Sequence, residues 1–176
     1  MGDALNLVHR FDSAAKKHYL NEWNTVLHCH HYATIFTELA ISARGFAGTE
    51  KLVASAEMVL GNWLKEYYRK ESITVVATRV SVAEEYWRTI GMGLIRIVAD
   101  SPVRGSATMD YSHIDEGWLK KLGSSNQPVN FLTQGFLAGV FSALFGKPFG
   151  SYAVVETHSL VMGAEASRFE ITLKVG

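Results

Sequence analysis

This sequence has one cysteine, no net charge and no long apolar run. The single cysteine, Cys29, excludes an internal disulfide framework and any metal site built only from thiolates. Seventeen basic residues balance seventeen acidic ones, which argues against a protein that binds nucleic acid by neutralising phosphates. The most apolar segment, residues 131–145, is shorter than the roughly 18 residues that span a bilayer. The first residues lack the basic region and apolar core of a signal peptide, so we expect a cytoplasmic protein without a membrane span.

The motifs of common enzyme classes are missing as well. We find no nucleophile elbow, no His-Glu-x-x-His zinc motif, no phosphate-binding loop and no dinucleotide fingerprint. The fragment Gly91-Met92-Gly93 precedes a predicted strand, whereas the glycines of a dinucleotide fingerprint follow one. These absences lower the expectation of a cofactor-dependent enzyme.

The sequence does contain helical and strand patterns within an ordinary globular composition. With 176 residues, 48% of them hydrophobic, we expect one domain over residues 1–176. The predicted helices cover residues 32–43, 49–69, 81–90, 113–122 and a segment that begins at Pro128. The predicted strands cover residues 5–11, 17–22, 25–30, 73–78, 94–99, 105–111, 152–156 and 167–175. An alternative has Asn24 capping a helix that runs through the following histidines. The sum predicts an α+β fold in which helices cover an antiparallel sheet.

The helix after Pro128 is the most apolar of the set. Its apolar side chains cover most of the circumference, so we expect it to be buried nearly all round. Gly135 and Gly139 lie four residues apart and face the same way, which lets the sheet or a partner helix approach closely. Each glycine costs about 1 kcal/mol of helix propensity, which we expect close packing to offset.

Three neighbouring histidines, His28, His30 and His31, form the most conspicuous polar cluster. On a strand His28 and His30 share a face, and on a helix His28 and His31 do. Either arrangement gives a metal ion only two ligands, and the spacing matches no standard zinc motif. We favour histidines that line the interior or a ligand pocket. Metal or haem ligation by these three residues is the alternative.

Two pairs of adjacent carboxylates also invite a functional interpretation. Glu84-Glu85 and Asp115-Glu116 each lie on a predicted helix with a polar face. We therefore predict that both pairs are solvated rather than catalytic.

The last third of the chain carries a pattern of glycines, a glutamate and a phenylalanine in register. It consists of Pro128-Val129-Asn130, Gly135-Phe136-Leu137-Ala138-Gly139, Ser142, Gly146, Glu156-Thr157-His158-Ser159, Gly163 and Ser167-Arg168-Phe169. The pattern resembles the 4-vinyl-reductase domain, also called the hydrocarbon-binding domain, over residues 112–175, with a looser match over residues 26–63. That family is related to the sensing domains of phenol-responsive activators, to haem nitric-oxide sensors and to TRAPP trafficking subunits. The resemblance implies their ligand-binding fold.

The resemblance also implies a structural zinc site that this sequence has not kept. The zinc-binding cysteines of the family correspond to positions at or near Asn130, Ser159 and Ser167, and only the acidic residue, Glu156, is retained. Asparagine and serine are poor zinc ligands, so we expect no metal there and no other cofactor. His158 would add one ligand, which with Glu156 is still too few.

The resemblance further implies a cavity between helices and sheet for an apolar or aromatic molecule. In the phenol-sensing relatives, pocket residues come from the segment before the small helix, here residues 110–113. We expect ligand contacts from His30, Trp87, Tyr111, His113 and Trp118. Aromatic walls would supply buried area, and a histidine would orient a hydroxyl or carboxyl group. The alternative for His113 is that it only caps the helix that it begins.

Three functions remain open from the sequence. We favour a binding module, a sensor or carrier of a hydrophobic ligand that forms a homodimer as the family implies and binds no nucleic acid. The second is an enzyme or accessory acting on a tetrapyrrole or aromatic substrate, as the family's name suggests. The third is a haem or metal protein that uses His28, His30 and His31.

Overall fold

Five α-helices and two antiparallel sheets make up the computed structural model, which describes residues 5–26 and 28–174. The small sheet contains β1 (His9–Asp12), β2 (Lys17–Leu20) and β3 (Trp23–Thr25). The helices are α1 (His30–Ser42), α2 (Gly48–Lys70), α3 (Val76–Thr89), α4 (His113–Leu122) and α5 (Phe131–Leu144). The large sheet contains β4 (Gly93–Ser101), β5 (Arg104–Ser112), β6 (Tyr152–His158) and β7 (Ser167–Leu173). The predicted α+β class is confirmed.

The large sheet is antiparallel throughout, in the order β4-β5-β7-β6. Apolar side chains alternate along its strands, so one face is buried, as at Ile95, Ile97, Phe169 and Ile171. Helix α5 packs on β6 and β7, and α3 packs on β4. The buried face of the sheet and the helices therefore enclose the core. The predicted alternation extends to Val175, which lies outside the described residues.

Helix α5 is buried nearly all round, as its composition predicts, because α2 covers its glycine face. A Cβ atom at Gly135 would lie 2.3 Å from the carbonyl oxygen of Val53, and one at Gly139 would lie 2.8 Å from that of Glu57. These distances are far below van der Waals contact, so the two glycines are needed for the approach of α2. The partner helix belongs to the same chain.

The small sheet differs from the predicted hairpin in its register. Residues 17–22 and 25–30 were expected to pair around Trp23-Asn24, but Trp23 and Asn24 lie within β3. The turn instead lies at Asn21 and Glu22, whose φ angles are 48° and 69°. The Asn21 side chain stabilises this turn by accepting a hydrogen bond from the backbone N–H of Val8 at 2.8 Å. Leu27, within the second predicted strand, lies outside the described residues.

Several predicted elements differ from the structure in type or in bounds; the helix expected over 81–90, for example, is α3 (Val76–Thr89). Residues 73–78 were expected to form a strand, but α3 begins at Val76. The Arg79 guanidinium donates to the Ile73 carbonyl at 2.8 Å, and the Arg79 carbonyl accepts from the Tyr68 hydroxyl of α2 at 2.8 Å. These contacts outweigh the preference of the β-branched residues for a strand. The helix expected from Pro128 begins at Phe131. The helix alternative capped by Asn24 is also wrong, because α1 begins at His30.

Candidate ligand-binding site

A cavity of about 590 Å³ lies between the small sheet and the end of α3. The wall on the side of the small sheet consists of His9, His18, Leu20, Thr25, Val26 and His28. The opposite wall consists of Thr89, Ile90, Gly91, Met92 and His113. The volume falls within the range of small-molecule sites, about 300–1,000 Å³.

The cavity walls are apolar with a few uncharged polar groups. Leu20, Val26, Ile90 and Met92 supply aliphatic surface, and the polar groups are imidazoles and threonine hydroxyls. None of the described residues that line the cavity is Asp, Glu, Lys or Arg. An apolar body with one polar end fits such walls better than a highly charged molecule.

A second cleft, of about 570 Å³, lies between the turn of the small sheet and α2, but its chemistry is different. Its lining includes Glu22, Glu66, Lys70 and Glu71. Burying a hydrophobic molecule there would desolvate several charged side chains without pairing them, which is costly. The cavity beside α3 is therefore the better candidate for a hydrophobic ligand.

Strand alternation explains the histidine pair in the small sheet. In the antiparallel pairing of β1 with β2, His9 lies opposite Leu20 and His18 opposite Phe11, so all four side chains share one face. The rings of His9 and His18 stack with centroids 5.1 Å apart, and His9 Nε2 lies 2.9 Å from His18 Nδ1. The pair is held by one hydrogen bond and lines the cavity.

His113 lies at the start of α4, where the turn around Gly93 brings it to the cavity. Gly93 has a φ of 132°, and a Cβ atom there would lie 2.3 Å from the Tyr111 carbonyl oxygen, so this close turn requires glycine. The backbone N–H of His113 donates to the Met92 carbonyl at 3.1 Å. The helix cap is Ser112, whose hydroxyl accepts from the Asp115 N–H at 3.1 Å. The alternative that His113 only caps its helix is therefore wrong, because Ser112 is the cap.

The environment of the His113 ring favours its neutral form. Burial lowers the pKa of His113, and the neighbouring His28 and His30 lower it further. The ring centroids of these two histidines lie 5.7 Å and 5.9 Å from that of His113. The Nε2 atom of His113 is buried without a hydrogen-bond partner.

Of the five residues predicted to contact the ligand, the structure places His113 in the cavity lining and the other four outside it. His30 stacks on His31 with centroids 4.6 Å apart and lies beside α4. Trp87 and Trp118 are buried in the core, each with an unpartnered indole N–H, and Trp87 stacks on Phe136 at 4.1 Å.

Tyr111 faces the surface from β5. Its hydroxyl donates to the Glu116 carboxylate, and this hydrogen bond raises the pKa of Tyr111. Hydrogen bonds from Lys120 and then Tyr111 lower the pKa of Glu116 to about 2. These contacts give Tyr111 a local partner on α4.

The three neighbouring histidines do not converge on a point. Within residues 5–26 and 28–174, no group of three or more His, Cys, Asp or Glu side chains is arranged to hold a metal ion. The stacked rings of His30 and His31 present their faces to each other rather than their nitrogen lone pairs to a common centre. His28 belongs to the cavity lining instead.

A buried polar cluster includes the positions at which the resemblance implied a zinc site. Its members are Ser112, Asp115, Asn130, Glu156, Ser159 and Ser167. Asn130 Nδ2 donates to Asp115 at 2.9 Å and 3.0 Å and to Glu156 at 2.8 Å, and the Ser167 hydroxyl donates to Asp115 at 3.1 Å. The prediction that Asp115 is solvated was wrong, because α4 turns this side chain inward towards Asn130 and β7.

The donors in this buried cluster do not suit zinc. Burial raises the pKa of Asp115 and that of Glu156, and the hydrogen-bond partners of both carboxylates are neutral amide, hydroxyl and N–H groups. The Asn130 amide nitrogen lies between the two carboxylates, where its protons already bridge them. A zinc ion would need thiolate or imidazole ligands in place of Asn130, Ser159 and Ser167.

Sequence reasoning missed most of the cavity lining. His9 and His18 are nine residues apart, and only the strand register brings them together. The turn at residues 89–92 was recognised only as a helix end. The available signals were the alternation of His9 with Phe11 and the glycines at 91 and 93, and neither identifies a pocket without the tertiary arrangement.

Comparison with known proteins identifies the fold. The sequence matches no protein-family model and no curated protein. The chain is similar to the phenol-responsive sensory domain of the transcription activator PoxR, solved with phenol (TM-score 0.76, 15% identity, 94% of this chain and 84% of that chain). It is also similar to trafficking protein particle complex subunit 3 from Naegleria fowleri, covalently bound to palmitic acid (TM-score 0.55, 10% identity, 83% of this chain and 95% of that chain). At these identities the likeness shows the fold alone, which is the α+β fold of a phenol-sensing regulator domain and a trafficking subunit.

Proposed function

We propose that this protein is a binding module that holds a small hydrophobic molecule in the cavity between the small sheet and the end of α3. The observation that carries the proposal is the cavity itself, about 590 Å³ with aliphatic walls and uncharged polar groups. Two proteins of the same fold, one solved with phenol and one with palmitic acid, support it. The protein would act as a sensor or carrier rather than as an enzyme.

We also propose that the chain is one domain of the 4-vinyl-reductase type that works without a metal. The hydrogen bonds of Asn130 to both buried carboxylates support a metal-free cluster. A cytoplasmic location remains the expectation from the sequence. Among the described residues, every helix is too short or too polar to cross a bilayer.

The proposed homodimer needs a different surface from the one that the sequence suggested. The glycine face of α5 is covered by α2 of the same chain. Helix α1 instead exposes an apolar stripe of Tyr32, Ile35, Phe36 and Leu39, at helical spacings of three and four. We propose that this stripe meets its copy in a second chain.

Native mass spectrometry of freshly purified protein, with an absorption scan and metal analysis, tests the binding function. We expect extra mass from an organic ligand, no Soret band and no stoichiometric metal. Leu20→Trp, which adds bulk at a partly buried position of the cavity wall, should lose that mass, whereas Val155→Trp, on an exposed position of β6, should retain it. Retention of the ligand by Leu20→Trp would contradict the proposed site. A Soret band or stoichiometric metal would favour the haem or metal alternative, and turnover of a vinyl-bearing ring would favour the enzyme.

A further inference from the structure

We infer that the ligand of this cavity is an apolar molecule that ends in a hydrogen-bond donor, a hydroxyl or amino group, and not in a carboxylate. The inference rests on the proposed function, because it concerns the occupant of the same site. It follows from which polar atoms of the cavity walls still have protons to donate.

Both threonine hydroxyls in the lining already use their protons. Thr25 Oγ1 donates to the Trp23 carbonyl at 3.1 Å, and Thr89 Oγ1 donates to the Glu85 carboxylate at 3.4 Å. A hydroxyl has one proton and two lone pairs, so while these hydrogen bonds are kept each oxygen can accept a further hydrogen bond but cannot donate one.

The imidazoles also offer more acceptors than donors when they are neutral. His28 Nδ1 lies 3.2 Å from the Cys29 carbonyl, which can only accept, so Nδ1 holds the ring proton and Nε2 is left as an acceptor. A single N–H is used in the hydrogen bond between His9 and His18, so the neutral pair has one ring donor and one ring acceptor left for a ligand. Burial and its histidine neighbours lower the pKa of His113, which favours the neutral ring.

The backbone on the opposite wall favours the same kind of ligand. The N–H groups of Ile90, Gly91 and Met92 donate to carbonyls of the last turn of α3, at 3.0–3.1 Å. The backbone donors of this wall are thus occupied. The carboxyl end of α3, which ends at Thr89, borders the cavity and keeps part of the negative charge of a helix end, because these N–H groups satisfy the carbonyls of Tyr86, Trp87 and Arg88 but not that of Thr89. This end attracts a donor or a cation and repels a carboxylate.

The charged side chains nearest the cavity do not change this excess of hydrogen-bond acceptors over donors. Glu85, the partner of the Thr89 hydroxyl, forms an ion pair with Arg88 at 2.7 Å, so the Arg88 guanidinium is already engaged. The described residues of the lining include no Lys or Arg that would receive an anion. A hydroxyl or amino group can donate to Thr25, Thr89 or His28, whereas a carboxylate would face mainly lone pairs.

Three probes of nearly the same shape test the inference by calorimetry: 2-naphthol, its methyl ether and 2-naphthoate. Titration at about pH 8 keeps ordinary imidazoles neutral. We expect 2-naphthol to bind at least about tenfold more tightly than the ether, which lacks the donor, because a lost hydrogen bond costs about 1.4 kcal/mol or more. We expect 2-naphthoate to bind most weakly.

Isosteric variants identify the atoms responsible. Thr25→Val and Thr89→Val each remove an acceptor hydroxyl. Because the single proton of 2-naphthol donates to one acceptor, one of the two variants should weaken 2-naphthol several-fold, and both should leave the ether unchanged. Thr157→Val removes a hydroxyl from the exposed surface of β6 and should change neither probe. Far-UV circular dichroism checks that each variant is folded.

The outcomes separate this inference from the proposed function. If the ether or 2-naphthoate binds as tightly as 2-naphthol, a hydrophobic site exists but the inference is overturned. If 2-naphthol retains its advantage in both threonine variants, the assignment to these wall atoms is overturned. If none of the three probes binds saturably, the proposed function fails and the inference fails with it.

Discussion

The amide of Asn130 joins two carboxylates that would otherwise repel each other in the protein interior. Its Nδ2 atom donates to Asp115 and to Glu156, and its backbone N–H donates to Glu156 at 3.2 Å. The Ser112 hydroxyl donates to the amide oxygen at 3.0 Å, which orients the side chain. Asn130 thus links β5, α4 and β6, and the Ser167 hydroxyl of β7 joins the same cluster by donating to Asp115. Their junction therefore depends on hydrogen bonds from neutral groups.

The titration of the buried cluster predicts a pH dependence of stability. Because burial raises the pKa of Asp115 and of Glu156, the folded protein binds protons more tightly than the unfolded chain does. The contribution of the cluster is fully present below the unfolded pKa values, about 4, and is lost as the pH rises through the raised folded values. Glu156→Gln cannot titrate at this position, so its unfolding free energy should fall less than that of the wild type between about pH 4 and pH 7.

Urea denaturation across this pH range measures the difference. Glu170→Gln, on the exposed side of β7, is the matched control and should follow the wild type. Parallel pH curves for wild type and Glu156→Gln would show that Glu156 titrates normally, in contradiction to the prediction.

The predictions for the buried cluster were right in part, and their errors have a physical cause. The resemblance implied that Asn130, Glu156, Ser159 and Ser167 belong together, and the structure confirms their proximity. Asp115 was interpreted as solvated because helical periodicity does not distinguish a solvent-exposed polar face from a polar face that packs on a buried amide. The cavity histidines His9 and His18 depend on strand pairing, which no local pattern specifies.

Among the elements, α5 and α2 illustrate what periodicity predicts well. Helix α5 was recognised from its apolar circumference, and its glycines were correctly assigned to close packing. The segments around Ile73 and Trp23 were assigned wrongly, because side-chain contacts with distant elements, such as those of Arg79 and Asn21, determine their backbone. Local propensity is a weak signal against such contacts.

The approach of α2 to α5 predicts that Gly135→Ala destabilises the protein although alanine is the better helix former. The substitution gains about 1 kcal/mol of helix propensity. The new Cβ atom would lie 2.3 Å from the Val53 carbonyl oxygen and 2.6 Å from the Ala56 Cβ atom, so the helices must move apart. We expect a net loss of about 2 kcal/mol in unfolding free energy, by analogy with overpacked cores.

Chemical denaturation of Gly135→Ala and of Gly45→Ala provides the comparison. A Cβ atom at Gly45 would meet nothing within 4 Å, so that variant should match or exceed the wild type. Equal or greater stability of Gly135→Ala would mean that α2 and α5 separate at little cost, contrary to the packing described.

On the scale of the whole molecule, the small sheet and the helical layer have separate roles. The strands of the small sheet pack mainly on one another, and their inner face borders the cavity. The helices and the large sheet contain the core and the buried polar cluster. A ligand between the two parts would contact both, so its binding would join the small sheet to the rest of the protein. Under the proposed function, occupancy of the cavity would therefore change how firmly the small sheet is held.

The exposed stripe of α1 is the surface through which we expect two such molecules to associate. Tyr32, Ile35, Phe36 and Leu39 are each 48–59% exposed, and Phe46, just beyond the helix, is 79% exposed. Together these five side chains present about 500 Å² of apolar surface per chain, near the upper end for a monomer. Two copies would bury about 1,000 Å², the lower limit for a specific interface.

A charge in the middle of the α1 stripe should therefore convert the dimer to a monomer. Phe36→Asp would place two carboxylates at the centre of a symmetric interface, where each would be desolvated next to the other. We expect sedimentation equilibrium to give the dimer mass for the wild type and the monomer mass for Phe36→Asp, with unchanged circular dichroism. Val103→Asp, at an equally exposed apolar position in the turn between β4 and β5, should remain dimeric. A monomeric wild type would contradict the proposed dimer. A dimeric Phe36→Asp variant would exclude α1 as the interface, because the desolvation of two facing carboxylates would outweigh the apolar area that the stripe can bury.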